Sequence, residues 1–294
     1  MPYKIVKKRD LGNSGSLVEM EIKAPLIAKK AGGGNFLLIR INETGERIPL
    51  TVADYDREEG TVTIVFQVVG KSTKLLSHLN EGDEILDVVG PLGNAIRVKK
   101  YDDPIVIIGG GVGIAPCYPQ VKELKAAGNK IITIIGARNK ELLFWKEKMA
   151  AISDELIVCT DDGSDGRKGV VTDPLKEIIQ REKIDHVIAI GPLIMMKFVT
   201  LTTNGEGELP RVKTYVSLNT IMVDGTGMCG GCRFLTKDGD AQFACVDGPD
   251  VDGHIVDFDN LFKRARYMVD EEKIALDKYD HECKALKKFE AEGN

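Results

Sequence analysis

At 294 residues, 43% hydrophobic and 29% charged, the chain is long enough for two domains and a small appendage, and too apolar for disorder. Its net charge of −5, without a Lys/Arg-rich block, argues against nucleic acid, and no apolar run is long enough to span a membrane. Six cysteines in a chain this long do not make a secreted disulfide scaffold, and the opening MPYKIVKKRD lacks the apolar core of a signal peptide, so a cytoplasmic protein is expected.

Residues 1–100 read as a β domain. LVEMEIKAP, NFLLIRIN, RIPLTVADYD and GTVTIVFQVVG are short segments rich in branched and aromatic residues, separated by Gly, Asn and Asp turns. One helix, KSTKLLSHL, interrupts them before GDEILDVVGPLGN resumes extended structure. Strands at this spacing suggest a small closed or sandwiched antiparallel sheet. The pattern changes at Asp103-Pro104. PIVIIGGGVGIAP is a buried strand running into glycines, followed by a helix over 118–127. Strand KIITIIGA, helix KELLFWKEKMAAI, strand ELIVCTDD, helix DPLKEIIQREK, strand HVIAIGP, helix LIMMKFVTLTT and strand RVKTYVSL come next. This alternation predicts βαβ units and a parallel sheet over 101–217. A cysteine-bearing excursion occupies 218–257 and a charged helical tail 258–294, in which Leu276, Tyr279, Cys283 and Leu286 form one apolar stripe.

Three strand ends in the α/β region carry candidate ligand loops. GGGVGIAP, Gly109 to Pro116, leaves the first parallel strand and opens a helix, where glycines let backbone N–H groups approach a pyrophosphate. It departs from G-x-G-x-x-G at Ile114, so alone it reads equally as a tight turn. CTDDGSDG, Cys159 to Gly166, and IGPLIMM, Ile190 to Met196, end two further strands, where open α/β sheets place ligands. In the β domain, IPLTVAD ends a strand with a Pro and a hydroxyl. FQVVGKST, Phe66 to Thr73, enters a helix through glycine and hydroxyl residues, either a second phosphate cradle or an ordinary N-cap.

VDGTGMCGGCRF, Val223 to Phe234, sets Cys229 and Cys232 in a glycine-rich loop, and QFACVDGP adds Cys245. Three thiolates are soft ligands that suit iron–sulfur or zinc. Cys117, Cys159 and Cys283 lie in helix or strand contexts and read as packing residues. His78, His186, His254 and His281 share no spacing and read as surface or packing residues.

The order of β domain, GPLG (Gly90 to Gly93) and a glycine loop ending in Ala115-Pro116 resembles the ferredoxin–NADP reductase superfamily over residues 1 to 220. In that superfamily an antiparallel barrel holds FAD and a Rossmann-like parallel α/β domain holds NAD(P)H. With the cysteine module added, the chain is similar to the electron-transfer subunits of type B dihydroorotate dehydrogenases. It is more similar still to the small subunits of NADH-dependent reduced ferredoxin:NADP oxidoreductases, also described as sulfide dehydrogenase subunits.

The resemblance implies a site map. Pro49, Leu50 and Thr51 match the flavin motif, with Ile48 where an arginine is usual and Arg47 preceding it. Val65, Phe66 and Gln67 fall at the flavin, and Gly70, Lys71, Ser72 and Thr73 at its pyrophosphate. Gly110, Gly111, Val112 and Gly113 match the phosphate loop for NAD(H), with Asp161 and Asp162 nearby. Gly191 and Pro192 fall beside the nicotinamide, with Ile190 where many relatives have Cys. Sibling subunits carry a fourth cysteine five positions before the pair; here that position is Asp224. The implied [2Fe–2S] ligands are therefore Asp224, Cys229, Cys232 and Cys245, with zinc on the same residues, or Asp247 in place of Asp224, left open.

The implied activity is electron transfer: a hydride between NAD(H) and FAD, and single electrons with the cluster. A larger flavin- and iron–sulfur-containing subunit would complete a heterodimer that reaches ferredoxin in flavin-based electron bifurcation. An electron-transfer role in dihydroorotate oxidation is the alternative, and a non-catalytic zinc module is the alternative from another class. NAD is favoured over NADP by the resemblance alone: Arg138, past the second parallel strand, is placed to meet a 2′-phosphate, but ARNKELLFW equally reads as a solvated helix start.

Overall fold

The computed structural model describes residues 3–12, 15–205, 207 and 209–292, with side chains as far as His281. Strands β1 (Tyr3–Asp10), β2 (Leu17–Lys23), β3 (Phe36–Arg40), β4 (Arg47–Asp56), β5 (Thr61–Gln67), β6 (Glu84–Ile85) and β7 (Asp87–Leu92) form one antiparallel sheet in the order β6-β1-β2-β5-β4-β3-β7. Its two edge strands are joined through Leu86 alone, so the sheet must curl until its edges meet, which makes a nearly closed barrel. Alternation fills it: Val18, Met20 and Ile22 of β2 point into the barrel core beside Leu37, Ile39, Ile64 and Phe66. Helices α1 (Pro25–Lys30) and α2 (Lys71–His78) lie in the connections. β1 and α1 are additions to the sequence reading.

The second sheet combines β8 (Ile105–Gly110), β9 (Ile131–Ala137), β10 (Glu155–Thr160), β11 (Arg167–Lys168), β12 (His186–Ile190) and β13 (Lys213–Ser217), all parallel, in the order β11-β10-β9-β8-β12-β13. The strand order reverses between β8 and β12, the place where such sheets open a ligand crevice. Helices α3 (Ile114–Ala126), α4 (Lys146–Ala150), α5 (Thr172–Arg181) and α6 (Leu193–Thr202) complete the domain. Helix α3 starts at Ile114 rather than at residue 118, with Pro116 in its first turn where no N–H is needed. The expected helix over KELLFWKEKMAAI is broken. Only Lys146–Ala150 is α-helical, because Trp145 takes a left-handed φ of 54° while Phe144 turns into the core. The Trp145 indole N–H then donates to Glu19 of the barrel at 2.9 Å, so a contact between domains overrides helical propensity.

The excursion after β13 forms a hairpin of β14 (Arg233–Leu235) and β15 (Ala241–Phe243). It then returns as β16 (Asp250–Asp252), which pairs antiparallel with β13 and becomes the last strand of the α/β sheet. Helices α7 (Phe258–Arg264) and α8 (Val269–Glu292) follow. Helix α8 lies against α2 of the barrel, where Lys74 pairs with Asp280 at 2.6 Å and His78 stacks on Tyr279. Two members of the expected apolar stripe, Cys283 and Leu286, lie outside the described side chains. Among the described residues no helix is long and apolar enough to cross a membrane.

Barrel and α/β domain are locked together. Ala53 and Val65 pack on Ile114 and Ala115. Glu123 of α3 accepts from the Tyr55 hydroxyl at 2.7 Å and from the Gly33 N–H at 2.6 Å. Lys122 and Lys148 converge on Asp54 at 3.0 and 3.1 Å.

Candidate functional site

At the switch point, β8 runs into a tight turn over Gly111–Gly113 and then into α3. The four residues Gly110 to Gly113 do different jobs. A Cβ on Gly110 would run into Met195, and one on Gly113 would run into the Ile190 carbonyl; on Gly191 it would stand 2.8 Å from the Met195 methyl. These three glycines therefore let the Ile190-Gly191-Pro192 turn lie flush on the loop. Gly111 differs: its φ is 55°, and nothing lies within 4 Å of where its Cβ would be. It faces open space at the start of a helix of 13 residues, where free N–H groups and the helix dipole favour an anion. Val112 is half-buried beside it. Asp161 and Asp162 are exposed at the end of β10, two strands from β8 and so about 10 Å away. The Asp162 carboxylate accepts from the Ser164 N–H at 2.9 Å, and the Ser164 hydroxyl and N–H together hold its pKa below the usual range. Arg138 stands exposed at the end of β9.

On the barrel, Ile48 and Leu50 pack towards the core, so the alternate residues Arg47, Pro49 and Thr51 share the opposite face of β4. Arg47 thus stands on the same face as Thr51, while Ile48, at the usual arginine position, is spent on packing. On β5, Phe66 is buried in the barrel core, Val65 is buried against the α/β domain, and Gln67 is half-buried. At the start of α2, the Thr73 hydroxyl accepts from the Val69 and Gly70 N–H groups at 3.0 Å. The Ser72 hydroxyl donates to Glu46 at 3.1 Å, and Lys71 is half-buried. A phosphate at this helix start would find N–H groups and Lys71, and would displace Glu46 from Ser72.

The cysteine loops lie on the outer face of the same barrel. Gly225, at a φ of 69°, sits so close that a Cβ there would stand 2.7 Å from Leu92 and 2.9 Å from Leu38. Asn94, just past β7, donates from its N–H to Gly248 at 2.7 Å and from its side chain to Val246 at 2.8 Å. Cys232 and Cys245 are buried with their sulfurs 3.1 Å apart, and Cys229 is exposed. Burial first, and Cys232 second, push the Cys245 thiol up to about 12. The Asp224 carboxylate accepts from the Thr226 N–H at 2.9 Å and the Cys229 N–H at 2.7 Å. Those two N–H groups, Thr226 foremost, and the Cys229 thiol hold its pKa below the usual carboxylate range. Asp247 instead closes its own turn, accepting from the Phe243 N–H at 2.7 Å.

The donors thus form two pairs, Asp224 with Cys229 and Cys232 with Cys245, although among the described residues no three of them converge as a closed metal cage. Two pairs of donors that bind metal as anions, in loops that turn through Gly225, Gly227 and Gly230 at positive φ, suit a two-iron cluster, which takes two ligands at each iron. A single zinc ion needs four donors on one point and does not match this pairing. The residues fit the cluster.

The family described as the iron–sulfur cluster binding domain of dihydroorotate dehydrogenase B matches residues 219–257, and the oxidoreductase NAD-binding domain matches residues 107–200. A Thermotoga maritima protein named as a homolog of the dihydroorotate dehydrogenase B (NAD(+)) electron transfer subunit is 50% identical over 275 residues, 94% of each chain. The Fusobacterium nucleatum subunit of that name is 32% identical over 239 residues, 79% of this chain and 89% of its own. The chain belongs to the family of dihydroorotate dehydrogenase B electron-transfer subunits.

Within this family, the structure of an NADH-dependent reduced ferredoxin-NADP oxidoreductase, solved for insight into flavin-based electron bifurcation, is 48% identical. It superposes with a TM-score of 0.87 over 95% of this chain and 98% of that one. A ferredoxin NADP+ reductase from Neisseria gonorrhoeae, with bound FAD and NADP, is 17% identical with a TM-score of 0.58, over 74% of this chain and 98% of its own. At that identity it shows the fold alone. The family's barrel and α/β pair is therefore present here, with the electron-transfer module built onto both. The histidines stand outside the site: His186 bonds Asp185 at 2.8 Å, and His254 bonds the Val212 carbonyl at 2.9 Å. What the sequence did not reveal is the junction formed by Leu38, Leu92, Asn94 and Gly225; the one available signal was the turn-forming GPLGN.

Proposed function

We propose that this chain is the NAD-linked electron-transfer subunit of a cytoplasmic flavoenzyme complex. FAD would sit on the barrel, NAD(H) at the switch point and a [2Fe–2S] cluster in the cysteine loops. When bound, FAD would exchange a hydride with NAD(H) and single electrons with the cluster. The observation that carries this reading is Leu38. It is the cross-strand partner of Pro49 on the candidate flavin face, and it is also the side chain against which the Gly225 turn of the cluster loop rests. One strand spacing, about 4.8 Å, separates Leu38 from Pro49.

The chain's own groups would act as follows. Arg47, Pro49 and Thr51 present the flavin face, with Leu50 anchoring it and Val65, Phe66 and Gln67 shaping the neighbouring strand. Gly70, Lys71, Ser72 and Thr73 offer the start of α2 to the flavin pyrophosphate. Gly111 and the first N–H groups of α3 receive the dinucleotide phosphates. Gly110, Val112, Gly113, Gly191 and Pro192 hold the floor of the crevice, and Asp161 and Asp162 lie towards the adenosine end. Asp224, Cys229, Cys232 and Cys245 hold the cluster. The Glu123 and Asp54 contacts keep the two domains closed on each other.

The relatives are named as subunits, which supports a heterodimer with a larger flavin- and iron–sulfur-containing partner. The 48% identical oxidoreductase supports NADH-linked bifurcation, with ferredoxin reached through that partner. The relatives named for dihydroorotate dehydrogenase support a second reading, in which the partner oxidises dihydroorotate. The test is to isolate the chain with its native partner under anaerobic conditions and assay FAD, iron and acid-labile sulfide. NADH should then bleach the flavin and raise a reduced-cluster paramagnetic signal. A colourless protein carrying zinc would overturn the proposal, and dihydroorotate against NADPH plus ferredoxin would separate the two readings.

A further inference from the structure

Three parts of the chain meet at one buried carboxyl that the site described above does not use. Asp250 opens β16 and pairs across the sheet with Ser217 of β13. Its Oδ2 accepts from the Gln120 side-chain N–H of α3 at 2.8 Å, and the same oxygen lies 3.4 Å from where a Cβ on Gly34 of the barrel would be. The residue as a whole is half-buried, but its Oδ1 is sealed from solvent and has no hydrogen-bond partner. Gln120 is fully buried, and its Oε1 is also without a partner.

Two buried acceptors, Asp250 Oδ1 and Gln120 Oε1, are left without a hydrogen bond on the two side chains that already share one, with the Ser217 hydroxyl also facing the carboxyl. Orphaned buried acceptors are rare in native proteins, and each one calls for a reason. A carboxylic acid facing a primary amide supplies that reason. The amide N–H donates to one carboxyl oxygen, the acid O–H donates to the amide oxygen, and both orphans are satisfied.

We propose that Asp250 is a positioning residue that carries its proton and clasps Gln120 in a two-bond acid–amide pair, fixing the cluster module to the helix that begins at the dinucleotide loop. The inference rests on the functional reading above only for what the clasp positions. Burial drives the Asp250 pKa upward, with Ser217 and Gln120 opposing. The groups facing the carboxyl are Gln120 and the Cys117 thiol of α3, the Ser217 hydroxyl of β13 and the Gly34 backbone. The thiol is itself pushed upward, by burial first and by Asp250 second, and among the described residues no cation contributes to the Asp250 shift. Asp250 lies five residues after Cys245 along the chain, and Gln120 stands two turns into α3, so the clasp ties a cluster loop to the nucleotide loop through one rigid helix.

The test uses the cluster-loaded chain with its partner. The infrared difference spectrum between wild type and Asp250→Asn at neutral pH should show one protonated-carboxyl band that shifts in D2O. Asparagine can form the same two-bond pair, so Asp250→Asn should keep iron release at the wild-type rate. Asp250→Leu leaves the Gln120 amide unpartnered and should release iron about tenfold faster or more. The sign of the pH dependence follows from a raised folded-state pKa. Wild-type stability falls as pH rises above the unfolded carboxyl value, about 4, and the Asn variant lacks that fall. No carboxyl band, with identical pH profiles for wild type and Asn, would overturn the protonated clasp and leave an ionised carboxylate bridged by water. If Asp250→Leu releases iron as slowly as wild type, the positioning role is wrong even where FAD, NADH reduction and cluster content stand.

Discussion

Gly111 and Gly113 sit two residues apart in the same loop, yet the structure assigns them opposite consequences. Substituting Gly111 by Glu strains a residue at a φ of 55° but meets nothing within 4 Å. The expected stability loss is the left-handed backbone cost, about 1–2 kcal/mol. A carboxylate about 4 Å from one phosphate charge costs roughly 4 kcal/mol at a protein surface, which weakens NADH binding about a thousandfold. Gly113→Ala is the converse. Its φ of −63° suits alanine, but the new Cβ would run into the Ile190 carbonyl and stand 2.9 Å from the Gly191 Cα. Backbone cannot swing aside, so the loss appears as overpacking of about 1–3 kcal/mol or more, with the crevice floor displaced. Urea unfolding and NADH titration by flavin bleaching separate the two, with bound FAD and iron as controls. If Gly111→Glu titrates NADH like wild type, the loop is a turn and not a phosphate site.

At the cluster, Asp224→Cys should keep two irons and two sulfides per chain with a shifted paramagnetic signal, because a thiolate restores the commoner ligand. Asp224→Ala should make the cluster labile while Asp247→Ala leaves it intact; iron lost from the second variant but not the first would mean the wrong aspartate is named. Glu46→Gln removes the carboxylate that holds Ser72 at 3.1 Å, and should tighten FAD about two- to fivefold, read by flavin release on dilution. An unchanged or weaker affinity would show that the start of α2 does not receive the pyrophosphate. Tyr55 is pushed up to about 12, by burial first and Glu123 second, from an ordinary value of 10.0. A raised tyrosine keeps its proton after the unfolded chain has lost it, so stability should fall between pH 10 and 12. Tyr55→Phe should lose that extra slope in unfolding midpoints measured against pH, and a slope kept by the variant would refute the assignment.

Much of the fold was legible because its signals are local and redundant. GTVTIVFQVVG and PIVIIGGG are strands by period and by branching, and the glycines after β8 mark the switch point without help from tertiary structure. Helix KELLFWKEKMAAI misled for the opposite reason. Its spacing is helical, but Phe144 and Trp145 are taken up by the core and by Glu19, which lies 126 residues away in sequence. The site was legible as pieces and not as an assembly. Arg47 and Thr51 share a face because the register with β3 runs unbroken from Phe36 to Arg40, which one strand read alone does not reveal. The closeness of Leu38 to Gly225 depends on how a loop of the third module folds back on the first. Asp250 carried no signal, since an aspartate after Gly-Pro reads as a turn until its surroundings are known.

The return of the chain as β16 has a bearing on how the protein survives without iron. β13 leaves the α/β sheet at Ser217, the cysteine loops intervene, and Asp250–Asp252 comes back to pair with the same strand. The ligand-bearing segment therefore leads straight into the strand that covers the outer edge of a sheet rich in Ile and Val. A chain that has not received its metal, or has lost it to oxygen, risks peeling β16 away and baring the hydrogen-bonding edge of β13, a ready template for another molecule. Precipitation in iron-starved cells, relieved by supplying iron and sulfide during synthesis, is the outward sign this architecture should give.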